Sequence, residues 1–377
     1  MDNKTKFVLS SLVVFATFVL LALATYTSPR AGKIVATGAP MEARFSHTAT
    51  LLLEGKVLIA GGMERNGVWL DSAELWDPAT ERFTSLGRMS SPRAGATATL
   101  LPNGKVLIAG GSSGLGVNLA GAELFDPGTG AFTRTSDMLS PRAHAIAVPL
   151  RSGMVLIAGG SSHGDDDQLA SAEVYDPTTG RFSATGGLQT GRSYFTAVAL
   201  RDDRVLVVGG LSGGQFPRHK VEATAEIYDP VFGRFTPTGS LSTPRYKQGA
   251  ALLPDGRVLI LGGSNEDGQQ YRYSSTEIFD PQTGRFTIGP GMKFERYKLP
   301  SGVVALKDGR ILVAGGAARP EVYDPAKNVF VPLNGQIPGF LFNTATVLHD
   351  GRVLLVDGYG ERPADGAIRK ARVFQPE

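Results

Sequence analysis

Val57-Leu58-Ile59-Ala60-Gly61-Gly62 is the stretch that decides the architecture, because the chain repeats it. VLIAGG returns at 106–111 and 155–160, then as VLVVGG at 205–210, VLILGG at 258–263, ILVAGG at 311–316 and, weakest, VLLVDG at 353–358. A second element trails each copy: AELWDP (73–78), AELFDP (122–127), AEVYDP (172–177), AEIYDP (225–230), TEIFDP (276–281), PEVYDP (320–325) and ARVFQP (371–376). Self-similarity with a period of about fifty residues marks an array of one supersecondary unit, stacked because no single unit buries its own apolar faces.

Within each period, four short runs are separated by turn chemistry, and we name them strands a to d of a four-stranded blade. Strand a precedes a turn carrying Glu54-Gly55, Asn103-Gly104, Ser152-Gly153, Asp202-Asp203, Asp255-Gly256, Asp308-Gly309 or Asp350-Gly351. Asn-Gly and Asp-Gly predict two-residue hairpins with positive φ at both central positions. Strand b is the VLIAGG run, apolar on both faces as for a strand covered on both sides. Strand c is the AELWDP element, ending at an Asp-Pro turn. Strand d carries one large aromatic per unit: Phe83, Phe132, Phe182, Phe235, Phe286 and Phe330.

The seventh unit runs out after its strand c. Gly32-Lys33-Ile34-Val35-Ala36-Thr37-Gly38 matches Gly233-Arg234-Phe235-Thr236-Pro237-Thr238-Gly239, so the N-terminal segment is expected to supply the missing strand d. That closure removes both exposed edges of an open ring. The expectation is an all-β, seven-bladed propeller over residues 32–377. The glycine doublet, the acidic-hydrophobic-aromatic strand c and the aromatic of strand d resemble the kelch repeat, particularly the bacterial kelch proteins related to the central domain of galactose oxidase. The resemblance covers residues 32–377 and implies a kelch-type propeller. The family includes protein-binding modules and sugar-active enzymes, sialic acid mutarotases among them, so its fold does not name a function. The copper site of galactose oxidase depends on a cysteine-modified tyrosine. With no cysteine here, that activity is set aside, and no cofactor or metal is expected.

Lys4 and Lys6 precede an apolar run, Phe7 to Ala24, with small residues at Ala22 and Ala24. Residues 1–24 therefore read as a signal peptide, or as an uncleaved signal anchor, followed by a short linker at 25–31. The protein is expected to be exported, touching membrane only through that segment if it is retained. Absence of cysteine excludes disulfides and N-terminal lipidation. The net charge of +3 is spread without a basic stripe, so nucleic acid is not a partner. A monomer is expected.

Arg44, Arg93, Arg142, Arg192, Arg245 and Arg296 stand at one position in six units, where strand a begins. Glu74, Glu123, Glu173, Glu226, Glu277 and Glu321 hold one position on strand c in the same six. Unit seven has Phe340 and Arg372 instead. Joint loss predicts a structural ion pair rather than an anion-trapping ring of guanidiniums, since a half-buried charge should not outlive its partner.

Strands alternate in direction, so the b–c and d–a connections share one face. These vary from unit to unit, whereas the a–b and c–d turns are uniform, and recognition is expected on the variable face. Candidate ligand contacts there are Arg65, Trp69, His163, His219, Tyr271 and Tyr273 from b–c loops, with His47, His144, Tyr194, Tyr246 and Lys247 after the repeated arginine. Asp165-Asp166-Asp167 raises a calcium site, against the plainer reading of a solvated turn. No catalytic constellation has distinctive spacing. The leading expectation is a binding module for a protein or glycan on the variable face; the alternative is a sugar-active enzyme at the channel mouth near His144 and Tyr194.

Overall fold

The computed structural model describes residues 31–65, 67–214, 219–265, 271–338, 340–360 and 366–377, apart from the side chain of Arg65. The expected leader, residues 1–24, lies outside them. Seven four-stranded antiparallel sheets follow one another along the chain. Blade 1 is built from Thr48–Leu51, Val57–Ala60, Ala73–Asp77 and Arg82–Ser85, in the order a-b-c-d. Strand a of every blade touches strand a of both neighbours, so the innermost strands close a ring around a central channel. Lys33–Ala36 is strand d of blade 7, with Lys33 opposite Gln375, Ile34 opposite Phe374 and Val35 opposite Val373.

The apolar core lies between blades. Leu58 and Ala60 of blade 1 pack against Val106, Ile108 and Phe125 of blade 2, and equivalent clusters recur around the ring. The join between the last and first blades is sealed in the same way, by Leu354, Val356 and Val373 against Val57, Ile59 and Trp76. This explains why strand b is apolar throughout: Val57–Ala60 is buried at every position because each face meets a different neighbour. Fully burying such side chains contributes about 1.5–3 kcal/mol each.

The glycine doublet has a specific cause. The second glycine donates its N–H to the carbonyl of the arginine of the next blade: Gly111 to Arg142 at 2.9 Å and Gly160 to Arg192 at 2.8 Å. A Cβ on Gly159 would lie 2.7 Å from that Arg192 carbonyl oxygen, and its φ is +63°. Close inter-blade approach and left-handed backbone together demand glycine.

Two local expectations need correction. The a–b turns are not two-residue hairpins. Leu52 N–H bonds Lys56 O at 2.8 Å and Gly55 N–H bonds Leu52 O at 3.0 Å, so three residues form the loop and the glycine takes φ +91°. This is a type I turn ending in a left-handed glycine, which needs one positive φ instead of two. The Asn or Asp before the glycine serves to accept a backbone N–H two residues on, as Asp255 does from Arg257 at 3.0 Å. The b–c connections of blades 1 to 4 are not plain loops but two-stranded ribbons, such as Ser112–Gly114 with Val117–Asn118 and Ser161–His163 with Asp166–Gln168. Neighbouring ribbons are tied together: the Asn118 side-chain amide donates to Ser161 O and Gly164 O, both at 2.8 Å.

Candidate functional site

The six arginines are between 0% and 2% exposed, and each makes an ion pair with the glutamate of its own unit. Arg142 Nη2 lies 2.5 Å from Glu173 Oε1, while Nη1 donates to Gly159 O and Ser171 O at 2.8 and 3.1 Å. Glu173 in turn accepts the Leu139 and Ser140 N–H groups of the connection arriving from blade 2. Each pair therefore clamps the incoming d–a linker onto its blade, and no guanidinium is left to trap an anion. Blade 7 has a different pair: Arg372, in the glutamate position, lies 2.6 Å from Asp357, which stands where the other units have the first glycine of the doublet.

Two residues after each arginine position the chain takes a left-handed turn, and this recurs in all seven blades: Ser46 (φ 52°), Gly95 (62°), His144 (53°), Tyr194 (53°), Lys247 (53°), Lys298 (62°) and Phe342 (51°). Backbone hydrogen bonds link them around the channel: Gly95 N–H to Ser46 O, His144 N–H to Gly95 O, Lys247 N–H to Tyr194 O and Phe342 N–H to Lys298 O. A left-handed non-glycine residue costs about 1–2 kcal/mol. Here the same backbone device holds a different side chain in almost every blade, which is what a site with a common frame and specific contacts requires.

Four of them, Ser46, His144, Tyr194 and Phe342, line a bowl of about 420 Å³ with the neighbouring ribbons, at the channel mouth on the variable face. Phe45, Trp69, Tyr194 and Phe342 supply aromatic surface; His144, His163 and Asp165 supply polar groups. The His144 ring stacks on Tyr194 at 4.1 Å. Tyr194 donates its hydroxyl to Asp165 Oδ1 at 2.7 Å, and His144 Nε2 is 3.7 Å from the same oxygen. Burial holds the His144 imidazole down to about 4, with Lys247 adding to the effect and Asp165 opposing it. Burial works against the Asp165 carboxylate, but His144, the Tyr194 hydroxyl, Lys247 and His219 outweigh it and hold its pKa below the ordinary value. Burial first, then Asp165, pushes the Tyr194 phenol well above its usual range. Near neutral pH the bowl thus offers a neutral imidazole, an ionised carboxylate and a protonated phenol within reach of one another.

Behind the Tyr194 and Phe342 rings sits Lys247. Its Nζ is 4.1 Å from the centre of the Tyr194 ring, 5.0 Å from Tyr246, 5.6 Å from Tyr297 and 5.9 Å from Phe342. Lys298 lies among Tyr297, Phe342 and Tyr359 at 5.1–5.4 Å and hydrogen-bonds the Tyr359 hydroxyl. Cation–π contacts contribute about 0.5–2 kcal/mol each, against an effective desolvation penalty of several kcal/mol for a buried ion.

The expected contacts divide accordingly. His144, Tyr194, Trp69 and His163 meet in the bowl, whereas Lys247 does not line it and packs against the Tyr194 ring. Tyr246 is completely buried, its hydroxyl 2.9 Å from that of Tyr297, so it shapes the cage and does not meet a ligand. His47 is buried in the channel wall, 3.0 Å from Thr344 Oγ1, and burial and Arg44 hold its imidazole down to about 3. His219 Nε2 faces Asp166 at 3.5 Å, Tyr273 covers the Arg245 guanidinium at 5.2 Å, and Tyr271 is 52% exposed. None of these three lines the bowl. The side chain of Arg65 lies outside the described residues. Asp165 turns toward Tyr194 and His144 and Asp166 toward His219; among the described residues no group of three or more His, Cys, Asp or Glu is arranged to hold a metal ion. Phe45, Tyr297, Lys298, Phe342 and Tyr359 went unnoticed in the sequence. The signal that finds Lys298 and Phe342 is the second residue after each arginine position, where aligned units differ; Phe45 and Tyr297 stand one residue earlier, and Tyr359 follows strand b of blade 7.

A larger hollow of about 620 Å³ lies on the opposite face between blades 4 and 5. Its charges are spent locally, Arg204 on Asp202 and Arg257 on Asp255, both at 2.7 Å, so it offers less to a ligand.

These features define a β-propeller with an aromatic bowl at one end of its channel. The Kelch motif family model matches residues 44–90 and 245–293, the first and fifth units of this seven-bladed β-propeller. A search of curated proteins returned no match. Among solved structures, a fungal alcohol oxidase of the AA5 family, in complex with copper, is similar with a TM-score of 0.73 and 18% identity, over 92% of this chain and 76% of that one. At that identity the likeness is one of fold. Copper does not fit the residues at this mouth: two lysines occupy it, cysteine is absent, and the described residues hold no suitable ligand group.

Proposed function

We propose that the protein is an exported binding module that takes up a glycan in the bowl at the channel mouth. The observation carrying this reading is concavity combined with lining. A volume of about 420 Å³ falls in the range of small-ligand sites, and flat rings beside a few convergent polar groups suit a sugar, apolar on its C–H faces and polar at its hydroxyls. A protein partner would be better served by a broad flat patch. One observation favours catalysis on a sugar as a second reading: Asp165 lies within reach of both Tyr194 and His144, and a neutral imidazole beside a phenol and a carboxylate can move protons.

Thermal-shift measurements on residues 25–377 against a panel of mono- and oligosaccharides test the binding reading, since a ligand of the folded state raises Tm. We expect a saturable rise that Trp69→Ala and Phe342→Ala abolish while circular dichroism stays unchanged. No rise across the panel overturns glycan binding. Conversion of a bound sugar between anomers or epimers, followed by NMR and lost in Tyr194→Phe, would establish the enzymatic reading instead.

A further inference from the structure

Two neighbouring ribbon turns at the rim of the bowl carry opposite chemistry. In blade 2 the strands Ser112–Gly114 and Val117–Asn118 are joined by Leu115-Gly116, and in blade 3 Ser161–His163 and Asp166–Gln168 are joined by Gly164-Asp165. Leu115 and Asp165 both line the bowl. Turns that face water ordinarily take glycine, asparagine, aspartate or serine; Leu115 departs from that while 88% exposed. Single exposed apolar residues are common and need no account, but Leu115 differs in two respects. Its ribbon is braced: Ser112 Oγ donates to Gly114 O at 2.8 Å, the Asn118 amide ties the ribbon to blade 3, and a Cβ on Gly116 (φ +72°) would come within 3.0 Å of the His163 ring. The leucine is thus presented in a fixed place. It also extends an apolar wall. Phe45 bridges to Met63, whose ribbon packs beside that of blade 2, and all three residues face the bowl.

The lining is therefore divided by blade. Among the described residues, the side chains that blades 7, 1 and 2 contribute carry no charge, whereas blades 3 and 4 contribute His144, His163, Asp165, Asp166 and Tyr194. A bare sugar suits the second side, where hydroxyls can meet the carboxylate, phenol and imidazole, but it leaves Leu115 in water. We infer that the bowl takes a glycoside whose aglycone is apolar, an aryl or short alkyl group, and that Leu115 is the residue that selects for it. This rests on the glycan reading and sharpens it to a substrate class. The sugar lies against blades 3 and 4, and the aglycone lies against Leu115, Met63 and Phe45, where its apolar surface and that of Leu115 leave water together.

Calorimetric titration of the protein with the methyl and phenyl β-glycosides of glucose, galactose and mannose, and with phenol, provides the test. For at least one of these sugars the phenyl glycoside should bind about tenfold or more tighter than the methyl glycoside, with a more negative heat-capacity change, the mark of apolar surface leaving water. Leu115→Asn should bring the two glycosides to parity, and Leu115→Met should keep the phenyl preference. Val117→Asn, on the same ribbon but outside the bowl and 52% exposed, should keep it as well. Because Leu115 is exposed, Leu115→Asn should fold with an unchanged Tm. Equal binding of methyl and phenyl glycosides by the wild type overturns the inference and leaves glycan binding standing. Phenol binding as tightly as the phenyl glycosides overturns the glycan reading and the inference with it, as does no binding of any probe. A phenyl preference that survives Leu115→Asn, or a lowered Tm in that variant, refutes the role given to Leu115.

Discussion

Replacing Glu173 by alanine isolates what a buried ion pair does in this fold. Arg142 and Glu173 have side chains 1% and 2% exposed. Removing the carboxylate leaves a guanidinium that keeps Gly159 O, Ser171 O and Ser171 Oγ as acceptors but loses its counter-charge. It also strips the Leu139 and Ser140 N–H groups of their acceptor. Breaking one partner of a buried pair costs about 3–5 kcal/mol, and each buried donor left unsatisfied about 1–3 kcal/mol, so we expect a loss near the upper end, about 4–5 kcal/mol. The control has the same separation and a different setting: Arg88 and Asp71 also lie 2.5 Å apart but are 69% and 30% exposed. Asp71→Ala should cost no more than about 1 kcal/mol. Urea denaturation read by fluorescence reports both, since Trp76 is fully buried between blades 7 and 1. In a double-mutant cycle, Arg142→Met with Glu173→Ala should cost less than the sum of the single changes, because no uncompensated charge is left behind. Additivity to within about 0.5 kcal/mol, or an equal effect for Asp71→Ala, would refute the clamp.

Gly159→Ala, whose Cβ would lie 2.7 Å from the Arg192 carbonyl, should destabilise far more than Gly213→Ala, which shares its positive φ (+63° against +60°) but meets nothing within 4 Å. Equal losses in urea midpoints would mean that strain alone explains the doublet. His47 and His144 have imidazoles held down to about 3 and 4, below the unfolded value of 6.5, so the unfolded chain takes up protons first and stability falls as pH drops below 6.5. At pH 5 each should have lost about 2 kcal/mol relative to pH 7; His47→Gln should flatten the pH dependence of Tm, and an unchanged slope would count against a buried neutral His47. Ile34→Asp, on the strand that completes blade 7, should lower Tm and shift the protein toward oligomers in size-exclusion chromatography, because strand c of that blade regains an open edge; a monomer of unchanged Tm would show the closure to be dispensable.

Blade number, strand order, closure by residues 33–36 and the pairing of arginine with glutamate were all legible in the chain, because each rests on repetition. A residue required by packing recurs in every unit, and its joint loss in unit seven exposes its partner. The ribbons in the first four b–c connections were not legible: Ser112–Gly114 and Asp166–Gln168 carry no apolar alternation and owe their pairing to neighbouring ribbons. The bowl was only half legible. His144, Tyr194 and Lys247 stood out by residue type, but Lys298, Phe342 and Tyr359 sit about 50 to 215 residues further on and meet the others only when the ring closes. Sequence by itself determined the blade, because a blade is made of local alternation and turns. The tertiary structure alone decided which side chains share the channel mouth, because rotation of each blade about the common axis brings together positions that are remote along the chain.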